Sequence, residues 1–334
     1  MMNTVYNTLK LHIDNVTEAT FEPTALAVFR YQVQNNPLYQ EFINLLGISV
    51  EQVTKMQQIP FLPIQFFKYH HIKTKEWTPE VVFTSSGTTL QNPSKHYVRS
   101  LDWYNECAFK AFEAEYGALT NYVVLALLPS YLERQGSSLV YMVEQFIKRS
   151  QNDSSGFFLY NTDELVEVLD QCQTKNKPVL LLGVTYALLD LAKDYPKKLQ
   201  NVIVMETGGM KGKRAEMTKA AIHAVLKNAF DLKQVHSEYG MTELLSQAYS
   251  KGNGLFEPSA TMRVLIRETT DPLYILPAQK TGGINVIDLA NIDSCSFIAT
   301  DDLGKVYEDE TFRVLGRFDA SDLRGCNLLV EEEQ

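Results

Sequence analysis

The sequence has no long hydrophobic run and few cysteines. No segment reaches the roughly 18 consecutive apolar residues of a membrane-spanning helix, and the start lacks the charged and then apolar order of a secretory signal peptide. We therefore expect a cytoplasmic protein without membrane insertion. The four cysteines include no Cys-x-x-Cys pair, which argues against a disulfide framework and a cysteine zinc site.

The chain also lacks an excess of positive charge. Its 31 Lys and Arg residues face 40 Asp and Glu residues, for a formal net charge of -9. Nucleic-acid binding and attachment to a membrane surface normally need a positive field, so neither is expected. With 334 residues, 45% of them hydrophobic, the chain is long enough for one large domain or two ordinary ones.

The sequence pattern divides the chain into four regions. Residues 1–80 are mainly helical in pattern, whereas residues 81–248 alternate between short apolar strands and amphipathic helices. This βαβ alternation predicts an α/β core with a largely parallel sheet covered by helices. Residues 249–316 form shorter extended segments, typical of an antiparallel subdomain or small barrel within the same body. Residues 317–334 remain as a hinge-like tail.

Several local features give predictions about single elements. Ser100 can cap a helix, and Asn161 with Glu164 has the pattern of a capping box at the start of another. Residues 273–276 and 296–299 are predicted to be extended. Residues 300–304, taken alone, have the composition of an ordinary turn.

A hydroxyl-rich loop follows the apolar run at residues 81–83. It consists of Thr84, Ser85, Ser86, Gly87, Thr88 and Thr89. Glycine permits close backbone approach and the hydroxyls supply donors, so the loop predicts a phosphate cradle. It is not a Walker loop, because no Gly-Lys-Ser/Thr follows at the required spacing. The alternative is a surface turn whose hydroxyls satisfy its own backbone.

Two later segments can contribute to an anionic site. Residues 206–211 follow a predicted strand and open a helix, where free N–H groups favour anionic ligands. Residues 236–243 contain Tyr239, which can stack on a base, Thr242, which can bond a phosphate, and Glu243, which can hold Mg²⁺. Each segment taken alone also fits a plain strand-to-helix turn with helix caps.

Two further segments each contain one charged residue that can contact a nucleotide. Asp302 lies within residues 300–304 and can accept hydrogen bonds from two ribose hydroxyls. Arg317 lies within residues 315–326 and can meet a phosphate or ribose.

Together, the five segments resemble the motifs of the adenylate-forming superfamily in order and approximate spacing. The loop matches Thr-Ser-Gly-Thr-Thr-Gly-x-Pro-Lys with one additional serine, and Pro93 and Lys95 follow a short insertion. The chain looks most like the LuxE-type acyl-protein synthetases, relatives of phenylacetate-CoA ligases and the ligase component of the bacterial bioluminescence fatty-acid reductase complex. This implies an adenylate-forming large domain with a smaller antiparallel β subdomain. Since the sequence ends soon after Arg317, the usual C-terminal small domain is expected to be largely absent.

The resemblance implies a nucleotide-binding role for five residues. Tyr239 would stack on adenine with help from Gly208 and Gly209. Asp302 would hold the ribose, and Arg317 would contact the nucleotide.

The resemblance also implies roles at the phosphates. The hydroxyl loop and Lys95 would bind them. Thr242 and Glu243 would serve as catalytic residues at the α-phosphate, with Glu243 also the ligand of Mg²⁺. ATP and Mg²⁺ are therefore the expected cofactors.

By resemblance, the expected activity is ATP-dependent activation of a carboxylic acid, expected to be a long-chain fatty acid, and transfer of the acyl group to a cysteine thiol. Cys326 would receive it, although a cysteine packed in a terminal strand is the alternative. The implied partner is an acyl-CoA-reductase-like protein of the LuxC type. A phenylacetate-type coenzyme A ligase and a non-catalytic nucleotide-binding protein remain as alternative functions.

Overall fold

The computed structural model describes residues 2–85, 92–129, 136–159, 161–208 and 217–318. Its helices are α1 (Met2–Asp14), α2 (Glu18–Asn35), α3 (Pro37–Leu45), α4 (Phe66–Tyr69), α5 (Leu101–Tyr116), α6 (Ser138–Ser150), α7 (Thr162–Thr174), α8 (Thr185–Asp194) and α9 (Lys219–Phe230). Its strands are β1 (Leu62–Pro63), β2 (Val81–Thr84), β3 (Lys95–Val98), β4 (Val123–Leu127), β5 (Gly156–Phe158), β6 (Val179–Val184), β7 (Val202–Thr207), β8 (His236–Tyr239), β9 (Ala248–Ser250), β10 (Glu257–Pro258), β11 (Met262–Arg267), β12 (Thr281–Asp288), β13 (Phe297–Val306) and β14 (Phe312–Arg317).

A seven-stranded sheet forms the larger layer, in the order β10-β9-β8-β7-β6-β4-β5. The strands from β8 to β5 run parallel, and β9 and β10 add an antiparallel edge. Every residue of β6 is buried, as the continuous apolar run of a parallel strand covered on both faces predicts. The predicted helix-covered, largely parallel sheet is therefore confirmed.

The helices that cover this sheet begin near the predicted caps. The Ser100 hydroxyl accepts a hydrogen bond from the Trp103 amide at 3.2 Å, which confirms the predicted cap of α5. At α7 the helix prediction is correct but the capping box is wrong. The Asn161 amide group contacts the Glu164 carboxylate instead of capping the backbone of the first turn.

A second, smaller sheet follows in the chain. β11, β12 and β13 pair antiparallel in sequence order, and the far edge of β13 pairs with antiparallel β14 and with the short parallel strand β1. Among the described strands, β11 pairs only with β12, so this sheet is open and the small-barrel alternative is wrong.

Two local strand predictions change in this sheet. Residues 273–276 form no strand and contribute only a single bridge between Ile275 and Arg267. β13 continues beyond residue 299 and includes residues 300–304. The turn alternative for that segment is therefore wrong.

The N-terminal helices share one hydrophobic core with the smaller sheet. The rings of Phe29 on α2 and Tyr39 on α3 both lie 6.1 Å from that of Phe297 on β13. The buried Gln32 side chain also accepts a hydrogen bond from the Ser296 amide at 2.9 Å. These contacts fix α2 and α3 against the sheet that carries Asp302. No helix among the described residues is both long and apolar enough to cross a bilayer.

Candidate active site

Tyr239 lies at the end of β8, beside the end of β7 and Gly208. Side chains that follow neighbouring parallel strands meet at the carboxyl edge of a sheet, the usual place for ligands in α/β folds. Gly208 adopts a φ of +69°, a conformation that favours glycine. Its carbonyl accepts a hydrogen bond from the Thr185 hydroxyl at 2.8 Å.

Tyr239 and Asp302 come from different sheets and meet through a hydrogen bond. The Tyr239 hydroxyl donates to Asp302 Oδ2 at 2.9 Å, and Arg317 Nε donates to Oδ1 at 3.2 Å. The Asp302 side chain is only 9% exposed, whereas that of Arg317 is 75% exposed. The structure thus brings together three predicted site residues and leaves the arginine accessible to a ligand.

The ring of Tyr239 is itself part of the hydrophobic core. It lies edge-on to Phe312, with ring centroids 5.4 Å apart, and tilted against Phe256 at 5.9 Å. Burial and the neighbouring Asp302 carboxylate raise the pKa of its hydroxyl well above the usual value, so the phenol stays protonated and can donate. Stacking of Tyr239 on adenine stays a prediction. The hydrogen bond by which Tyr239 orients Asp302 is present in the structure.

Hydrogen bonds join Ser85, in the hydroxyl loop after β2, to Ser94, just before β3; these two residues form the base of the loop. The Ser85 amide donates to the Ser94 carbonyl at 3.0 Å, and the Ser94 amide donates to the Ser85 hydroxyl at 2.8 Å. The Thr84 amide donates to the carbonyl of Gly136, just before α6, at 2.8 Å. Lys95 pairs with Thr84 across the β2–β3 hairpin and is exposed. Four predicted phosphate ligands lie outside the described residues: Ser86, Gly87, Thr88 and Thr89.

The base of the loop also contacts Glu243. The Ser94 hydroxyl lies close to the Glu243 carboxylate, which is 5% exposed. Burial raises the pKa of Glu243, while the nearby Ser94 hydroxyl and the positive charge of Arg317 lower it in part. The predicted phosphate loop and the predicted magnesium ligand are therefore neighbours. Sequence reasoning gave no role to Ser94, which joins them.

His96 is a buried polar residue that sequence reasoning did not identify. Its Nδ1 lies 2.8 Å from the Thr242 carbonyl and its Nε2 lies 2.9 Å from Asn291 Oδ1. Asn291 in turn donates to the Glu243 carbonyl at 2.8 Å. Burial lowers the pKa of His96 to about 4, so the ring is neutral and only one of its two nitrogens donates a hydrogen bond to the oxygen that it faces. This network fixes the backbone of Thr242 and Glu243 against strand β3. A polar residue at the inward position of an alternating strand was the available signal.

Two buried glutamates flank the end of β7. Burial opposes ionisation of Glu206, but Lys219 at 2.5 Å, with hydrogen bonds from Ser237 and His223, lowers its pKa to about 2. Burial raises the pKa of Glu238 to about 7, although a hydrogen bond from the Thr207 hydroxyl opposes this. The candidate site therefore contains one ionised carboxylate and one that titrates near neutral pH.

The described residues contain no cluster of three His, Cys, Asp or Glu side chains that could hold a metal ion. Glu243 is the metal ligand that the sequence resemblance implies, and it lies among the described residues. Gly209 and Cys326 lie outside the described residues. Their predicted roles stay predictions, as do those of the other site residues.

No protein-family model and no curated protein matches the chain. Among solved structures, the chain is similar to 2-hydroxyisobutyryl-CoA ligase in complex with 2-HIB-AMP and CoA, with a TM-score of 0.66 and 14% identity over 90% of this chain and 70% of the ligase. It is also similar to ATP-bound MatB from Rhodopseudomonas palustris, with a TM-score of 0.55 and 15% identity over 73% of this chain. The chain spans 49% of the MatB length.

Identities this low establish the architecture only. The similarity agrees with the two packed sheets and with the predicted α/β class. The chain has a fold that resembles the large domain of adenylate-forming enzymes.

Proposed function

We propose that this protein uses ATP to activate a carboxylic acid. A carboxylate oxygen of the acid attacks the α-phosphorus of ATP, a new P–O bond forms, and the bond to the β-phosphate oxygen breaks. The products are acyl-AMP and pyrophosphate. Positioning and electrostatic stabilisation of this crowded, anionic transition state are the main contributions that a protein can make.

One observation carries the proposal: segments far apart in sequence meet near the carboxyl end of β8, in a fold that resembles the large domain of adenylate-forming enzymes. Tyr239 and Asp302, 63 positions apart, share a 2.9 Å hydrogen bond. Ser94 at the base of the hydroxyl loop contacts Glu243. A surface turn and a strand-to-helix turn that had formed independently would not need these contacts.

At the nucleoside end, Asp302 binds the two ribose hydroxyls in this proposal. Arg317 contacts the nucleotide from the solvent side, which fits its 75% exposed side chain. Tyr239 stacks on adenine beside Gly208 and Gly209.

At the phosphate end, the backbone and hydroxyls of the loop, with Lys95 and Thr242, bind the negative charge in this proposal. Glu243 is the ligand of Mg²⁺. A buried carboxylate next to the Ser94 hydroxyl fits a hard cation that takes few protein ligands and completes its shell with phosphate and water oxygens. When bound, Mg²⁺ offsets phosphate charge.

The acyl acceptor proposed from the sequence resemblance is a cysteine thiol. The sulfur of Cys326 attacks the acyl carbonyl carbon, the bond to AMP breaks, and AMP leaves as the thiol proton passes to solvent. The substrate in this version is a long-chain fatty acid. The acyl group then passes to an acyl-CoA-reductase-like partner of the LuxC type. The sequence motifs alone support this part of the proposal.

A coenzyme A ligase is the second candidate function. The observation that favours it is the similarity to 2-hydroxyisobutyryl-CoA ligase, whose structure contains CoA. In that case coenzyme A would replace Cys326 as the acyl acceptor. Release of an acyl-CoA product from ATP, acid and coenzyme A distinguishes the two versions.

Pyrophosphate exchange tests the adenylation step common to both versions. The purified protein is incubated with ATP, Mg²⁺, labelled pyrophosphate and one acid at a time, from short hydroxy acids to long-chain fatty acids. We expect acid-dependent label in ATP, reduced in Asp302→Ala and unchanged in Asp309→Ala, an exposed acid in the same hairpin. ATP binding without exchange for any acid would favour the non-catalytic nucleotide-binding alternative.

A further inference from the structure

The segment of β13 that carries Asp302 bulges away from its neighbour β12. Gly283 pairs with Leu303 and Asn285 pairs with Ala299, so Ile284 alone lies opposite residues 300–302. A bulge of this kind takes residues out of the regular ladder and redirects their side chains. The orientation of Asp302 therefore depends on contacts other than the β12–β13 ladder.

Arg267 on β11 supplies hydrogen bonds to this bulge. Its guanidinium donates to the Thr300 carbonyl at 2.6 Å, to the Ile284 carbonyl at 2.7 Å and to Asn285 Oδ1 at 2.8 Å. One planar group with several donors thus joins both strands where their pairing is interrupted. A lysine ammonium is a point donor on a different stem and does not reproduce this fork.

The bulge passes this restraint on to Asp302. The Thr300 hydroxyl donates to the Ile284 carbonyl at 2.9 Å and accepts from the Asp302 amide at 3.2 Å. The Ile284 carbonyl is therefore shared by Arg267 and Thr300. Two hydrogen bonds lead from the guanidinium to the backbone of Asp302, without direct contact between the two side chains.

The sequence around Arg267 leaves room for this arrangement. Arg267 pairs with Gly283 across the β11–β12 ladder. A Cβ on Gly283 would lie 2.5 Å from the guanidinium carbon, so any larger residue there would displace it. On the other side, the guanidinium carbon lies 5.6 Å from the ring centroid of Phe318.

We propose that Arg267 is a positioning residue that holds the bulge at residues 300–302, and through it Asp302, in the geometry that binds the ribose of ATP. The inference rests on the proposed function, because Asp302 needs this geometry only if it binds the nucleotide. Arg267 acts through Thr300 and touches neither the nucleotide nor the reacting atoms. Its loss therefore affects ribose recognition before any other part of the reaction.

The test compares the binding of ATP and of 2′,3′-dideoxy-ATP, which lacks both ribose hydroxyls. Dissociation constants are measured for the wild type, Asp302→Ala, Arg267→Met and Arg267→Lys. Asp302→Ala should weaken the binding of ATP by about tenfold or more, the loss of at least one charge-assisted hydrogen bond, and leave the binding of dideoxy-ATP nearly unchanged. Arg267→Met should show the same selectivity with at least about a threefold loss of ATP affinity, and Arg267→Lys should not restore it.

Two further variants keep the test valid if Arg267→Met folds poorly. Thr300→Val removes the hydroxyl between Arg267 and the Asp302 amide at nearly constant volume, and should give the same selective loss. Arg263→Met is the matched control, because Arg263 lies on the same strand but pairs with Glu310 at 2.6 Å. Its two nucleotide affinities should not change.

The outcomes separate the two proposals. If Asp302→Ala discriminates between the nucleotides while Arg267→Met and Thr300→Val do not, or weaken both equally, the positioning role is wrong and the ribose role of Asp302 stands. If Asp302→Ala does not weaken the binding of ATP more than that of dideoxy-ATP, the ribose assignment is wrong, and so is the role of Arg267 that depends on it.

Discussion

Tyr239 and Asp302 connect the two sheets of this protein through a buried 2.9 Å hydrogen bond. Tyr239 ends a strand of the parallel sheet, and Asp302 lies in a bulged strand of the smaller sheet. The phenol keeps its proton because burial and the adjacent carboxylate raise its pKa. The proposed ribose ligand is thus oriented from the side of the proposed adenine site.

Removal of this hydrogen bond should weaken the binding of ATP less than removal of the Asp302 carboxylate does. Tyr239→Phe keeps the ring packed against Phe256 and Phe312 but leaves Asp302 with one hydrogen bond fewer. We expect a loss of ATP affinity of about two- to tenfold, the equivalent of one hydrogen bond of roughly 0.5 to 1.5 kcal/mol. Calorimetric titration measures it, with Tyr274→Phe on an exposed tyrosine as the control. Equal affinity in Tyr239→Phe and the wild type would contradict this role.

Glu243→Gln should depress acyl-AMP formation and change its dependence on Mg²⁺. The amide keeps the size of the side chain but lacks the charge that a hard cation prefers. Pyrophosphate exchange at increasing Mg²⁺ should show a higher requirement in the variant. Glu308→Gln, at an exposed position, is the control. An identical Mg²⁺ profile would count against Glu243 as the metal ligand.

His96→Leu should destabilise the protein. It removes the donor to one of two buried oxygens, the Thr242 carbonyl or Asn291 Oδ1, and an unpaired buried group costs about 1 to 3 kcal/mol. We expect the free energy of unfolding to fall by about 2 kcal/mol or more in a urea titration. His12→Leu, on the exposed face of α1, should change it little. Equal losses in both variants would argue against the His96 network.

Glu238 should make stability depend on pH. Folding raises the pKa of Glu238 from 4.5 to about 7, so between these values the folded state holds a proton that the unfolded state has lost. The contribution of Glu238 to the free energy of unfolding therefore falls as the pH rises through this window. Burial also raises the pKa of Glu243 and Asp288, so the informative quantity is the difference in the free energy of unfolding between variant and wild type.

Glu238→Gln cannot ionise and keeps an acceptor for Thr207. Relative to the wild type, its free energy of unfolding should rise by about 3 kcal/mol from pH 4 to pH 8, since each pKa unit corresponds to about 1.4 kcal/mol. Urea titrations at several pH values measure this difference. For Glu308→Gln, the free energy of unfolding should change with pH as it does in the wild type. The same pH dependence in Glu238→Gln and the wild type would rule out the raised pKa of Glu238.

Cys326→Ala tests the proposed thioester. After incubation with ATP and a labelled fatty acid, the wild type should carry a hydroxylamine-sensitive label. The variant should still form acyl-AMP but lose that label, because the attacking thiolate is gone. The buried Cys107, Cys172 and Cys295 serve as internal controls. A label that persists in Cys326→Ala, or maps to one of these three, would show that Cys326 is not the acceptor.

The sequence alone predicted the class of fold and the alternation of strands and helices that builds the parallel sheet. Those strands are continuous apolar runs, such as β6, because both faces of a parallel sheet are covered. Such a signal can be found in the sequence because it depends only on residues that are adjacent or nearly adjacent in the chain. The helix cap at Ser100 belongs to the same group, since its partner lies three residues away.

The tertiary structure alone decided which of these residues meet. The Tyr239–Asp302 bond, the contact of Ser94 with Glu243 and the His96 network join segments that are distant in the chain, and no local pattern predicts such pairings. The bulge at residues 300–302 was likewise not predicted, because the composition of residues 300–304 is typical of a turn. There Arg267, from another strand, donates to the Thr300 and Ile284 carbonyls. The packing of the two sheets therefore decided the geometry of the candidate site.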